Sequence, residues 1–249
     1  QTMKKMNSSF FKRLVVLIAF TTTNFAFGAD YYWIGGAGNW TDVSHWSLTS
    51  GGQSANSIPS SEDNVHFDNH SFNSEYTKVI LNTNVEINNI YIESEFPLSV
   101  IGPDHSITVH GDFIATKKFN LDIQSVIFEN LSSSVNELKF HDELINADLK
   151  FNAGKWNLSS IMSTTWQKDI YFNDGQISTN GKTVTADRII SNQETYKFDF
   201  DGSVIYAVNE LDLSSSKKVG GDADFWTNVQ EPTDVSKGAY SNSNFTKDQ

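Results

Sequence analysis

Three residues in the first third of the chain have types and spacing that suit a metal ion. His66, Asp68 and His70 alternate along a predicted strand, which would place their side chains on one face. Two imidazoles and one carboxylate can bind zinc and leave a fourth coordination position open. The competing interpretation is that they are solvated side chains, because the strand is expected to end near His70. Their spacing therefore makes a zinc site a hypothesis only.

Paired carboxylates offer a second kind of metal chemistry. Asp199 and Asp201 are separated by one residue, so a strand would turn both toward the same side. Together with turn carbonyls they could bind calcium. They could equally be solvated residues that flank apolar ones. The sequence indicates no cofactor apart from this candidate calcium ion.

Three tryptophans could form a binding surface. Trp33, Trp40 and Trp46 lie in a short, glycine-rich stretch. An exposed indole face suits the C–H-rich side of a sugar ring, because the indole is flat and largely apolar. The alternative is structural: the indoles would cover the first coil of a repeat protein, whose open edge must be capped. We favour the cap.

The sequence selects no catalytic pair. A polysaccharide-degrading enzyme needs an acid and a base at a defined separation, and no motif distinguishes such a pair among 30 Asp and Glu. The glycines of residues 35–38 lack the lysine and the following helix of a nucleotide-binding loop. Because the chain has no cysteine, it has neither thiolate chemistry nor disulfides.

A repeat along the chain must position these residues. Four stretches combine an apolar run with a phenylalanine and a closing Asn, Asp or Gly: residues 126–130, 149–154, 170–175 and 198–202. Their rings, Phe128, Phe151, Phe172 and Phe200, lie about 21 to 28 residues apart, a period typical of solenoids. One such coil cannot bury its apolar face alone, so coils must stack. We predict an all-β, right-handed parallel β-helix with the four rings in one interior column.

Composition and motif placement divide the chain into four parts. Residues 1–28 have the basic, apolar and small-residue regions of a secretory signal peptide. Residues 29–63 contain the tryptophan-rich cap and a polar loop, residues 64–226 contain the solenoid, and residues 227–249 form a polar tail or a linker to a downstream region. The secreted product would have no membrane span, because no later segment approaches the roughly 20 apolar residues that a span needs.

The charge of the chain argues against several partners. Its formal net charge is −12, and four of its 18 Lys and Arg lie before residue 14. An acidic surface repels phosphate backbones and anionic bilayers, which argues against nucleic acid and against electrostatic membrane binding. Arg188 is the only arginine beyond the leader, so a site for polyuronates or nucleotides is also disfavoured.

The tryptophan-rich segment resembles part of a known group of surface proteins. Residues 32–47 contain Tyr-Trp-Ile-Gly-Gly-x-Gly-Asn-Trp and a following Trp-Ser, and residues 58–68 contain Ile-Pro and Asp-Asn-Val-His-Phe-Asp. This pattern resembles the N-terminal β-solenoid region of Bacteroidota proteins described as adhesin-like or gliding-motility associated. It is also similar to the passenger β-helices of autotransporters. The resemblance implies export, cell-surface display and attachment to a glycan or protein, within a longer polypeptide.

Three functional hypotheses follow from these observations. The first is a non-catalytic, adhesin-like module at the cell surface. The second is a carbohydrate-active β-helix enzyme, either a lyase or a hydrolase, and the third is a structural spacer within a larger surface protein. A groove with converging acids would favour the enzyme, and flat polar faces would favour the adhesin. Only fold-level analogy supports catalysis, and such analogy does not carry function.

Overall fold

The computed structural model describes residues 28–74, 77–191, 195–200, 202–213, 217–220 and 223–227. Within these ranges the protein consists of β-strands and one short 3₁₀ helix (Val43–His45), with no α-helix. No helix in the described part of the chain is long and apolar enough to cross a membrane. The predicted signal peptide and polar tail lie outside the described residues, apart from Gly28 and Thr227.

The strands are short at the N-terminal end and longer in the middle of the chain. In chain order they are β1 (Asp30–Trp33), β2 (Gly38–Asn39), β3 (Trp46–Ser47), β4 (Asn64–Phe67), β5 (Val79–Ile80), β6 (Val85–Ile87), β7 (Ile90–Ile92), β8 (Leu98–Val109), β9 (Phe113–Ala115), β10 (Phe119–Glu129), β11 (Val135–Phe140), β12 (Leu144–Ala153), β13 (Lys155–Leu158), β14 (Met162–Thr164), β15 (Ile170–Phe172), β16 (Gln176–Ser178), β17 (Val184–Ile190), β18 (Lys197–Asp199), β19 (Ser203–Asp212), β20 (Lys217–Gly220) and β21 (Ala223–Thr227).

These strands form two long sheets that the chain visits in turn. The first sheet has the order β3-β1-β4-β7-β9-β11-β13-β16-β18-β20. The second has the order β2-β5-β8-β10-β12-β14-β17-β19-β21, with β6 paired to β8 and β15 paired to both β12 and β17. All strand pairings among the described residues are parallel except that of β1 with β3. The predicted all-β parallel solenoid is therefore confirmed.

The N-terminal end of the first sheet differs from the rest. There β3 runs antiparallel to β1 and forms the outermost strand of the sheet. Ser47 of β3 makes a further antiparallel bridge with Ser54 in the loop that follows. A reversed strand at this position is compatible with an end cap, and the cap role of residues 29–63 stays a prediction.

Alternation along each strand decides which side chains form the core. In β11 the residues Asn136, Leu138 and Phe140 point inward and are buried, while those between them are half-buried or exposed. This period of two is the geometry of a strand with one buried face. Leu138 aligns with Phe113 in β9 and with Leu158 in β13, so inward residues of successive coils form columns between the two sheets.

Three of the four predicted rings form such a column. Phe128, Phe151 and Phe172 are register partners on β10, β12 and β15, and all three are buried. Their ring centroids stack at 4.8 and 5.0 Å, and Val109 of β8 aligns with Phe128 in the same column. The column fixes the register of the coils, because a slip of one residue would turn every inward side chain outward.

Phe200 does not belong to this column, which corrects the prediction. It follows β18 in the first sheet and stacks on Phe198 at 5.1 Å. Phe198 in turn contacts Phe172 edge-on at 4.8 Å. In the second sheet the residue beyond Phe172 is Ser191, whose hydroxyl donates to the Phe172 carbonyl. The fourth repeat is thus a similar strand in the other sheet, which explains why its spacing of about 28 residues exceeds the others.

Removing one ring from the column should strongly destabilise the protein. Phe151→Ala should lower the free energy of unfolding by about 3 to 5 kcal/mol, because the ring is fully buried between two others. Urea unfolding followed by circular dichroism measures this change. Leu144→Ala on the same strand is the control, because Leu144 is 60% exposed; its effect should stay within about 0.5 kcal/mol. Equal losses in both variants would contradict the column.

Candidate functional site

A polar groove lies along the corner where the chain passes from the second sheet to the first. It has a volume of 620 Å³ and is lined mainly by side-chain amides and hydroxyls, with two carboxylates and one imidazole. Turn residues of successive coils supply most of this lining. Because parallel strands are spaced by about 4.8 Å, turns at one corner bring side chains that are distant in sequence close together.

The turns that build the groove differ in length. Asn88 and Asn89 join β6 to β7, residues 110–112 join β8 to β9, and residues 130–134 join β10 to β11. The last of these is held by its own side chains: Asn130 accepts from the Ser132 backbone N–H at 2.7 Å, and the Ser132 and Ser134 hydroxyls lie 2.6 Å apart. This ordered turn contributes several residues to the lining.

A network of amides fixes the asparagines of the groove. The Oδ1 of Asn64 accepts from the Nδ2 atoms of Asn88 and Asn89 at 3.1 and 2.7 Å. The Oδ1 of Asn89 accepts from the Asp112 backbone N–H at 2.5 Å. Gly111 is required beside it, because a Cβ at that position would lie 2.1 Å from the Asn89 Oδ1. These amides are therefore oriented before any ligand arrives.

Asp30 extends this network beyond the groove. Asn64 donates to the Asp30 Oδ1 at 2.8 Å, and the Nε2 of His66 lies 3.2 Å from the same oxygen. These contacts, chiefly the hydrogen bond from Asn64, lower the pKa of Asp30 despite its partial burial. The carboxylate thus stays charged at neutral pH and orients the Asn64 amide toward the groove.

One carboxylate of the groove contacts the imidazole. The Nδ1 of His110 donates to the Glu129 carbonyl at 2.7 Å, which fixes the orientation of the ring. Its Nε2 then lies 3.3 Å from the Glu86 carboxylate. Glu62 supplies the second carboxylate of the lining. The groove therefore offers acceptors for hydroxyl groups beside the donors and acceptors of its amides.

Asn136 is the residue of the groove that stability does not explain. It occupies an inward position on β11 and aligns with Trp156 of β13, which is followed in the column by Ile177 and Phe198. Its side chain is only 7% exposed, and its Nδ2 has no hydrogen-bond partner. A buried amide without a partner costs free energy relative to an apolar side chain. Four other buried atoms of the described residues also have no partner: Trp40 Nε1, His141 Nδ1, Asp169 Oδ1 and the Tyr196 hydroxyl. Among these five residues, Asn136 is the one that lines the groove.

The predicted tryptophan platform lies in the interior. Trp33, Trp40 and Trp46 are each 0% exposed. Trp46 packs edge-on against the other two at 5.0 and 4.9 Å, and its Nε1 donates to the Trp40 carbonyl at 2.7 Å. Because sugar stacking needs an open indole face, this cluster offers no platform in the folded protein. The indoles act as core residues at the N-terminal end.

The predicted zinc ligands do not converge. His66 is stacked between Tyr32 and Tyr91, with ring centroids 4.6 and 4.8 Å apart. Asp68 instead accepts from the backbone N–H of His70 at 2.8 Å in a turn, and its Oδ1 lies 4.0 Å from the Nδ1 of that histidine. In the described part of the chain no group of three His, Asp or Glu side chains is arranged to hold a metal ion.

The candidate calcium pair is only partly described. Asp199 ends β18 and is half-buried, and its carbonyl accepts from the Thr179 backbone N–H at 2.9 Å. Asp201 lies outside the described residues. Calcium binding by this pair therefore stays a prediction.

Comparisons with known proteins assign the chain to no family. No family description, no curated protein and no solved structure matches it. Within the described ranges, the corner groove is the feature of this chain that best supports a function.

Sequence reasoning missed the groove, although one sign of it was present. Most lining residues come from turns, where Asn, Ser and Glu are common and carry little information. Asn136, however, interrupts the inward series that continues with Leu138 and Phe140. A polar residue at an inward strand position was therefore visible in the alternation.

Truncating a tryptophan of the N-terminal cluster should test its structural role. Trp46→Ala should lower the free energy of unfolding by about 3 to 5 kcal/mol, because the indole is buried against two others. Trp166→Ala is the matched control, because that indole is 75% exposed, and its effect should stay within about 0.5 kcal/mol. Urea unfolding measures both. Unchanged stability in Trp46→Ala together with lost sugar binding would refute the core assignment.

Proposed function

We propose that this chain is the solenoid part of a secreted, surface-displayed attachment protein, and that it binds a glycan in the corner groove without catalysing a reaction. The observation that carries the proposal is the polar corner groove itself, in which the Asn64 amide holds Asn88 and Asn89 in fixed orientations. Export and display are supported by the signal-peptide pattern of residues 1–28. The resemblance of residues 32–68 to Bacteroidota adhesin-like proteins supports the same assignment, within a longer polypeptide.

The chemistry of the groove suits a ligand rich in hydroxyl groups. Side-chain amides offer donors and acceptors together, and carboxylates accept from hydroxyls. Asn88 and Asn89 are held rigidly by Asn64, so little side-chain entropy would be lost on binding. The volume of 620 Å³ lies in the range of small-molecule sites and has room for a short oligosaccharide.

The charge of the groove favours a neutral or amino sugar. Its lining contains Glu62 and Glu86 and no lysine or arginine. Sulfated sugars or uronic acids would meet two carboxylates without a cation to pair with them. The net charge of −12 opposes anionic polymers as well.

A carbohydrate-active enzyme is the second candidate. A groove that contains two carboxylates, instead of a flat polar face, is the feature expected of an enzyme, and one contact also favours it. Glu86 and His110 lie 3.3 Å apart in a groove that also contains Glu62, so an acid and a base are both available there. Incubation of the protein with neutral polysaccharides, followed by analysis of released sugars, separates the two functions. Turnover that disappears in Glu86→Gln while binding persists would favour the enzyme.

Replacing Asn136 by leucine should raise stability and abolish binding. Asn136→Leu removes an unpaired buried amide and restores an apolar residue to the column, which should raise the free energy of unfolding by about 1 to 3 kcal/mol. Binding to neutral glycans on an array should be lost, because leucine would replace a polar part of the groove wall by an apolar one. Urea unfolding and the array are measured on the same preparation.

Asn157→Leu is the matched control for this substitution. Asn157 lies on the adjacent strand β13 and is exposed, so the same exchange should change stability by no more than about 0.5 kcal/mol and leave glycan binding intact. If Asn136→Leu kept full binding, or if the wild-type protein bound no glycan on the array, the proposal would fail. The second result would favour the structural spacer.

A further inference from the structure

Trp166 differs from the other tryptophans in its exposure. Its side chain is 75% exposed, whereas Trp33, Trp40, Trp46 and Trp156 are exposed by 1% or less. No ring contact involves Trp166 within the described residues. Single exposed apolar residues are common on protein surfaces, so what distinguishes Trp166 is the turn that carries it.

The coil that carries Trp166 departs from its neighbours. In the second sheet, β10 and β17 run through this region as continuous strands. Each has a register shift here, between Asp122 and Ser125 in β10 and between Ala186 and Arg188 in β17. In the coil between β12 and β17 the strand is interrupted instead, and β14 and β15 are separated by residues 165–169. The interruption forms a turn that projects the indole away from the sheet.

Hydrogen bonds within the turn make it rigid. The Lys168 N–H donates to the Thr165 carbonyl at 3.2 Å, and the Thr164 hydroxyl donates to the Lys168 carbonyl at 2.7 Å. Gln167 adopts a φ of 64°, in the left-handed region that non-glycine residues occupy only when the surroundings impose it. The indole is thus mounted on a defined backbone.

Neighbouring coils hold the turn from both sides. The Thr165 hydroxyl donates to the Asn146 Oδ1 of the preceding coil at 2.8 Å. On the other side, the Asp187 N–H donates to the Lys168 carbonyl at 3.0 Å. Because both contacts are present without a ligand, a molecule that stacks on Trp166 would meet a preorganised surface and lose little entropy in ordering it.

We propose that Trp166 is a carbohydrate-stacking site, separate from the corner groove, that takes the C–H-rich face of a pyranose ring. The flat indole provides the apolar contact. Gln167 and Lys168 follow Trp166 directly in the chain, and their polar groups can bind the hydroxyls at the edge of the ring. A single indole among polar groups matches a sugar, which alternates apolar faces with hydroxyl edges, better than it matches a broad apolar protein patch.

Fluorescence quenching tests this site directly. Four of the other five tryptophans are buried and Trp226 is half-buried, so the measurement uses a Trp226→Phe variant, in which acrylamide should act mainly on Trp166. We expect at least one of cellohexaose, xylohexaose, mannohexaose and chitohexaose to protect the indole from acrylamide and shift its emission to shorter wavelength. In the Asn136→Leu background, where the groove is closed to glycans, Trp166→Ala should weaken oligosaccharide binding measured by isothermal titration calorimetry by about tenfold, as for a lost aromatic stacking contact. Trp166→Phe should keep part of the affinity.

The Asn136→Leu variant distinguishes binding at Trp166 from binding in the corner groove. In Asn136→Leu, sugar protection of Trp166 should persist even if groove binding is lost. Protection by none of the four oligosaccharides at about 10 mM, where millimolar sites are filled, would overturn the inference. It would also be overturned if Trp166→Ala, made in the Asn136→Leu background, bound them with unchanged affinity, or if phosphatidylcholine vesicles protected Trp166 and the sugars did not. None of these outcomes would decide whether the groove binds a glycan.

Discussion

Pairing between successive coils is the interaction on which the rest of this structure depends. A single coil offers two or three short strands whose backbone groups and inward side chains have no partner within that coil. Parallel neighbours satisfy both needs, as in the register that joins Phe128, Phe151 and Phe172. Because the coils stack in register, the turns at one corner of successive coils lie next to one another. This stacking therefore places Asn64 beside Asn89, although 25 residues separate them in sequence.

The stacking of turns at one corner explains how a rigid scaffold can carry a polar site. The sheets fix where each turn begins and ends, and the turns supply the polar groups, as is usual where function is carried by loops on a stable framework. Most amides of the groove have partners and so cost little: Asn64 for Asn88 and Asn89, and the neighbouring serines for Asn130. Asn136 is different, because it occupies a column that otherwise contains Trp156, Ile177 and Phe198. A polar residue at that position sacrifices stability, which is typical of binding sites.

The sequence predicted the architecture better than the site. Its period and alternation follow directly from coil stacking, so the parallel solenoid and the burial of all four phenylalanines could be inferred. Phe200 could not be placed, because both sheets use the same apolar run and closing turn. His66 and Asp68 were expected to share a face, but the stacked tyrosines and the turn at His70 decide their partners. The groove is built from distant turns, which no local pattern brings together.

Cysteine pairing tests the coil register most directly, because the natural chain contains no cysteine. Ile127 aligns with Lys150 on the next coil, and Lys150 aligns with Tyr171 on the one after. The Cα atoms of cysteines at 127 and 150 would lie about 4.8 Å apart, within disulfide range. The Cα atoms of cysteines at 127 and 171 would be separated by roughly twice that distance. The measurement is the rate of disulfide formation in the two double variants under mild oxidation. The account predicts a rapid disulfide for the first pair and none for the second; a disulfide in the 127 and 171 variant, or none in the 127 and 150 variant, would contradict it.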